Sequence, residues 1–108
     1  PDSQGLTMPM GYDSAPAAVV ELSGEILGEA TEALARLEAV RQGGDRLVVS
    51  CANLIRVDFS AAGSILNWVA TRQGEGCHVQ FRELHRLVAA FFHVIGIDEH
   101  ARVVLRSN

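Results

Sequence analysis

Residues 46–69 read RLVVSCANLIRVDFSAAGSILNWV, from Arg46 to Val69, and their pattern decides the fold class. Arg46 to Cys51 is a continuous apolar run between turn residues, the pattern expected of a strand covered on both faces. Ala52 to Phe59 is then expected as a loop. A helix should begin around Asp58 to Ser60, both capping types, and run to Gln73. It places Ala62, Ile65, Leu66 and Val69 on one inward face. A buried strand followed at once by an amphipathic helix is half of a βαβ crossover.

The flanks repeat that alternation. On the N-terminal side, AAVVEL (Ala17 to Leu22) is a short β-type run ending at Ser23-Gly24, and Glu25 to Leu27 extends it as one bent strand or two short ones. Glu29 to Arg41 spaces Ala30, Ala33, Leu34, Leu37 and Val40 as a first amphipathic helix, stopped by Gly43-Gly44. On the C-terminal side, Gly74-Glu75-Gly76 ends the second helix and CHVQF (Cys77 to Phe81) alternates as a strand. Leu84, Leu87, Val88, Phe91 and Ile95 then form the strongest helical stripe, stopped at Gly96. Arg102 to Leu105 closes the domain. Strands alternating with helices across short loops predict an α/β fold: a mostly parallel sheet of four to five strands with about three helices.

Composition narrows the class. The 108 residues, 48% apolar and 20% charged, suit one domain with one core. Residues 17–108 are expected to form that domain. Residues 1–16 (PDSQGLTMPMGYDSAP) are expected as a flexible lead with one short strand at Leu6 to Met10, and the opening on Pro1 suggests a trimmed chain or a piece of a longer one. No stretch approaches the ~20 apolar residues of a bilayer span, and Pro1 to Met10 lacks the features of a signal peptide. A soluble cytoplasmic protein is the expectation. The net charge of −4, from nine cations that are all arginine, leaves no basic stripe in the sequence and makes nucleic acid a poor partner. The two cysteines, Cys51 and Cys77, fit a reducing compartment. At the end of one parallel strand and the start of another they would lie roughly 15 Å apart at ~3.3 Å per residue, too far for a disulfide.

Ligand sites in open α/β sheets lie beyond the C-terminal strand ends, where loops enter helix N-termini. Here that place is Asn53 to Ser64, NLIRVDFSAAGS. Free N–H groups and the helix dipole favour negative charge there, which makes Ser60 and Ser64 candidates for phosphorylation and Arg56 a candidate counter-charge for an anion. The plain alternative is that Ser60 caps the helix, Asp58 accepts a loop N–H, Ser64 is a small surface residue and Arg56 is a solvated loop arginine. With the stripe from Leu84 to Ile95 assigned to the core, Phe92 lies about 100° from Phe91 and Trp68 flanks the inward set of its helix, so that either suits the core edge. Phe59, Trp68 and Phe92 together would form a patch for a partner, although single apolar side chains at a surface are ordinary.

Catalytic patterns are missing. There is no GxSxG elbow, Walker loop or GxGxxG, and Gly24 to Gly28 lacks both the spacing and the lysine of a phosphate loop. His78, His85, His93 and His100 do not show zinc-helix spacing, so no metal, cofactor or catalytic residue is assigned. Cys51, seven residues from Asp58, reads as a small core residue.

Three of these stretches together resemble the STAS domain, the family of bacterial anti-sigma-factor antagonists that also includes the cytoplasmic domains of sulfate transporters. VVELSGEILGEATEAL is similar to the family's strand with a Leu-x-Gly-x-Leu pattern entering the first helix. RLVVSCANLIRVDFSAAGSILNWV is similar to its buried strand, loop and Asp-Ser-Ser-Gly-Leu entry to the second helix. HRLVAAFFHVIGIDEHARVV resembles the third helix, its Gly-Ile break and the last strand. Together they run from about Ala17 to Leu105.

The resemblance implies a non-enzymatic regulatory module that docks a protein: an anti-sigma factor, a kinase-like protein or a transporter subunit. It puts Asp58 at the family's Asp, Phe59 at the phospho-acceptor position, Ser60 at the second Ser and Ala61 in place of the Gly. Phenylalanine cannot accept phosphate. The expected docking region is therefore the loop and second-helix entry, with Asp58, Phe59, Ser60, Ser64 and Trp68 as site residues, Phe59 as an apolar anchor and Ser60 as the residue that would take over the role of phospho-acceptor if a switch is kept. The alternative is a small-ligand or transporter-associated module taking a nucleotide, anion or lipid near Arg56. The chain stops at Asn108, without room for a C-terminal helix often present in the family, which would leave surface for a second domain or a homodimer partner.

Overall fold

The computed structural model describes residues 17–106. Their elements alternate as β1 (Ala18–Ile26), α1 (Thr31–Arg41), β2 (Arg46–Val57), α2 (Phe59–Gly74), β3 (His78–Leu84), α3 (Arg86–Ile95), a 3-10 turn (Ile97–Glu99) and β4 (Arg102–Leu105). The four strands are all parallel and lie in sequence order, β1-β2-β3-β4. The fold is thus α/β with three helices, as the alternation predicts. The strand proposed at Leu6 to Met10 lies outside the described residues. No helix among those described is long and apolar enough to cross a membrane.

Strand order decides where the core sits. Right-handed crossovers between successive neighbouring strands return every helix to the same side of the sheet. The burial pattern agrees: Val20, Val49 and Phe81 share one register row and are buried, as do Leu47 and Val79 in the row below. The intervening residues are not. Val48 and Ser50 are only half-buried, so the expectation that β2 is covered on both faces is corrected: no helix among the described residues covers its second face.

β2 is also longer than its apolar run. Ala52 to Val57, expected as a loop, continues the strand, because β1 bends and stays paired with it through Ser23↔Asn53, Gly24↔Leu54 and Ile26↔Val57. The bends are register shifts between Glu21 and Ser23 and between Gly24 and Glu25, and Gly24 supplies a left-handed φ of 72°. β1 is therefore one bent strand. These bulges break the alternation of two, which is why Leu54 and Val57, three apart, both face the core.

The helices meet the core through Leu37 on α1, through Ala61, Ala62, Ile65 and Val69 on α2, and through Val88 and Phe92 on α3. α1 starts two residues later than expected, after a turn through Ala30 at φ 58°. The expected stripe of α3 is wrong in phase. Leu84 is buried but belongs to β3, and the helix begins only at Arg86, so its inward set is Val88 and Phe92, with Ile95 at the edge. Leu87, expected inside, is 83% exposed, and Phe92, expected at the core edge or in a surface patch, is fully buried edge-to-face against Phe81 at 5.4 Å.

Cys51 and Cys77 are both free and buried. Burial pushes the Cys51 thiol up to about 12. A thiol reagent should therefore label neither cysteine in the native domain and both after unfolding. Rapid labelling of Cys51 in native buffer would contradict the packing.

Candidate functional site

The expected site residues sit where β2 runs into α2, and Asp58 organises the place. One carboxylate oxygen, Oδ1, accepts from the Ala61 N–H at 2.8 Å and caps α2; the other, Oδ2, accepts from the Gly28 N–H at 3.0 Å in the turn before α1. Its own N–H donates to the Ile26 carbonyl at 3.1 Å. The helix cap is thus Asp58 and not Ser60, and the same side chain ties two loops together. Accepting from Ala61 and Gly28, with Arg56 nearby, holds the Asp58 carboxyl below the usual carboxylate range.

A pH effect of definite sign follows. Because the folded-state value is depressed, the stabilisation is present above the unfolded value and lost as pH falls through the folded one. Thermal melts between about pH 5 and pH 2 should show an Asp58→Asn variant less stable than wild type at the upper end, with the gap closing on acidification. A gap independent of pH would contradict this role.

Phe59, the first residue of α2, has a capped backbone and an unburied side chain, 73% exposed. It does not stand alone. Ile55, 70% exposed near the end of β2, and Leu87, at the start of α3, flank a shallow groove of about 350 Å³ that Arg56, Val88 and Phe91 complete. Val94, 79% exposed, continues the outer face of α3 one heptad beyond Leu87. Three of the large exposed apolar side chains thus converge on one concavity.

The remaining predicted residues are placed elsewhere or differently. Trp68 is nine residues from Phe59 on the same helix, which at 100° per residue puts it on the opposite side. It faces α1, where its Nε1–H donates to Glu38 at 3.2 Å beneath the Arg72 guanidinium. Glu38 also takes Arg72 at 2.9 Å and Arg41 at 3.1 Å. Burial pushes the Glu38 carboxyl up, but Arg41, Trp68 and Arg72 outweigh it and hold it below its usual range. Ser64 lines this α1–α2 groove with Trp68, away from Phe59. Phe92 is in the core. The expected patch of Phe59, Trp68 and Phe92 therefore does not exist as one surface, since helical phase separates all three. Ser60 is exposed in the first turn of α2, and Arg56 lies 3.8 Å from Glu25 across two exposed side chains.

Ile55, Leu87 and Phe91 were not among the expected site residues. A signal was available for two of them. α3, RLVAAFFHVI, has eight apolar residues in ten, more than one face can bury, and Leu87, Ala90, Phe91 and Val94 repeat at i, i+3, i+4, i+7 as a second stripe. Among the described residues no cluster of His, Cys, Asp and Glu could hold a metal ion.

A parallel sheet in sequence order, helices on one face and a capped second-helix entry define a STAS-like α/β module. The chain matches the family described as Mlab, STAS domain, over residues 10–106, and it belongs to that family. No curated protein and no solved structure matches it. Domains of this family are in general binding modules without enzymatic activity that mediate protein–protein interactions, in regulation or in association with transporters.

Proposed function

We propose that this chain is a non-enzymatic regulatory module that docks a partner protein through the groove between the α2 entry and α3. The observation that carries the reading is the convergence of Ile55, Phe59 and Leu87, all more than two-thirds exposed, on one concavity beside a rigidly capped helix start. Exposed apolar side chains that cluster, unlike scattered ones, are a feature of interaction surfaces. Phe59 stands at the position where relatives carry the phospho-acceptor, so the contact is apolar and built in, not one made or broken by phosphate at that residue. An anti-sigma factor, a kinase-like protein or a transporter subunit fits such a role in the cytoplasm. Affinity capture with the wild-type domain and a Phe59→Glu variant tests it: a protein held by the first and lost by the second is expected, and equal capture would refute the surface.

Ser60 gives the reading a regulatory version. Its hydroxyl is exposed one residue from Phe59, and a phosphate there would add nearly two negative charges beside Asp58 at the rim of an apolar contact. Incubation with a serine kinase from the same source should phosphorylate Ser60 and weaken partner binding; modification without any change in affinity would remove the switch. The small-ligand alternative rests on Arg56, whose side chain lines the same groove. Calorimetry with GTP, ATP and phosphate is expected to show no heat, and saturable heat lost in an Arg56→Gln variant would favour the alternative.

A further inference from the structure

We infer that the open face of the β-sheet is a second docking surface, one that takes an acidic segment of a protein. The inference is independent of the groove at α2 and α3, which lies on the helix side. Register fixes which residues share the open face. Val19, Val48, Gln80 and Arg102 form one row; Glu21, Ser50 and Arg82 form the next; Arg46 and His78 lie below.

Two properties of this face point to an occupant. All-parallel sheets ordinarily have both faces covered, and among the described residues the three helices cover only one. On the other side the described residues keep apolar surface: Val19 is 65% exposed and Val48 is half-buried. Its charge is also opposite to that of the chain. The net charge is −4, yet the described residues of this face include Arg46, Arg82 and Arg102 against two exposed carboxylates: Glu21, which already accepts from Asn53 at 2.7 Å, and Glu25, which lies 3.8 Å from Arg56. Arg82 and Arg102 make no ion pair or side-chain hydrogen bond with the described residues. The sequence contains no basic run because these arginines come from three different strands; the sheet brings them together.

The chemistry favours protein over the other acidic occupants. Face-to-face pairing with a second copy would set arginines against arginines. A membrane surface gives about 1 kcal/mol per Arg, and with no large apolar side chain to insert, three such charges fall short of stable anchoring. A single-stranded nucleic acid would find no Phe, Tyr or Trp ring among the described residues of this face to stack on. An acidic protein segment needs only the charges and the shallow apolar rows between them.

Titration of the full chain with a decaglutamate peptide, followed by backbone amide NMR in about 10 mM salt where screening reaches only ~30 Å, tests this. The expected result is a shift of the Val19, Val48, Gln80, Arg82 and Arg102 resonances, lost in the Arg82→Glu/Arg102→Glu double variant and retained in Phe59→Glu. Should the double variant fail to fold, about 1 M salt on the wild type, where the screening length is ~3 Å, should give the same loss. Parallel arms use phosphatidylglycerol vesicles, a single-stranded oligonucleotide and sedimentation of the chain alone. The inference is overturned by peptide shifts elsewhere or none, by tighter binding of vesicles or oligonucleotide than of peptide, or by self-association that the double variant abolishes.

Discussion

Replacing Phe92 with alanine is expected to cost the domain about 3–5 kcal/mol, whereas Leu87→Ala should change stability by no more than about 0.5 kcal/mol. Phe92 is fully buried and meets Phe81 edge-to-face at 5.4 Å, so truncation opens a cavity between α3 and the sheet that close-packed neighbours cannot fill. Against a total stability of about 5–15 kcal/mol for a domain of this kind, that loss leaves little margin. Leu87, at 83% exposure, has almost nothing to lose. Guanidinium unfolding of the two variants, with Phe91→Ala as a third, reads out the rotation of α3. A larger cost at Phe91 than at Phe92 would mean that the helix is turned by about 100° from the arrangement described here.

The second large effect concerns binding. Phe59→Glu and Leu87→Glu should each weaken the partner complex by more than tenfold while leaving the unfolding midpoint close to wild type. Anchor side chains at the centre of an interface commonly contribute about 2 kcal/mol or more each, and a buried carboxylate without a partner adds a desolvation penalty. Because both side chains are exposed in the free domain, the loss would lie in the complex and not in the fold. The two substitutions come from different helices. A similar loss from each, less than additive in the double variant, would locate one shared contact. Loss from one only would divide the groove.

The order of elements was readable in the sequence because each helix and strand carries its own period and its own stop, from Gly43-Gly44 after α1 to Gly96 after α3. The errors lie where two periods meet. Leu84 fits a helical stripe with Leu87, Val88 and Phe91 and is out of step with Val79 and Phe81; it turns inward from β3 only through the irregularity between Phe81 and Leu84, where Glu83 takes φ 62°, and assigning it to the helix turns the expected inward face of α3 away from Phe92. β2 was cut short because its bulged stretch, Asn53 to Val57, does not alternate. Its continuation depends on pairing with β1, a long-range fact that no local pattern contains.

The site was legible in part. Asp58 and Ser60 could both be read as capping types at the start of α2, but only the structure shows that Asp58 is the cap. The neighbours of Phe59 could not be read. Ile55 and Leu87 are brought to it by the fold, while Trp68, close in sequence, is carried to the far side of α2 and held there by Glu38. The sheet face away from the three described helices is hidden for the same reason, since the strand order that puts those helices on one side is a property of the topology.

The central claim is that the groove between the α2 entry and α3 docks a protein. The most direct measurement is quantitative affinity capture from the source lysate with four baits: wild type, Phe59→Glu, Leu87→Glu and Trp68→Phe. The account predicts one partner retained by wild type and by Trp68→Phe and depleted at least about tenfold by both glutamate variants, in keeping with the loss of a central anchor. Retention of that partner by both glutamate variants, or its loss only with Trp68→Phe, would contradict the account.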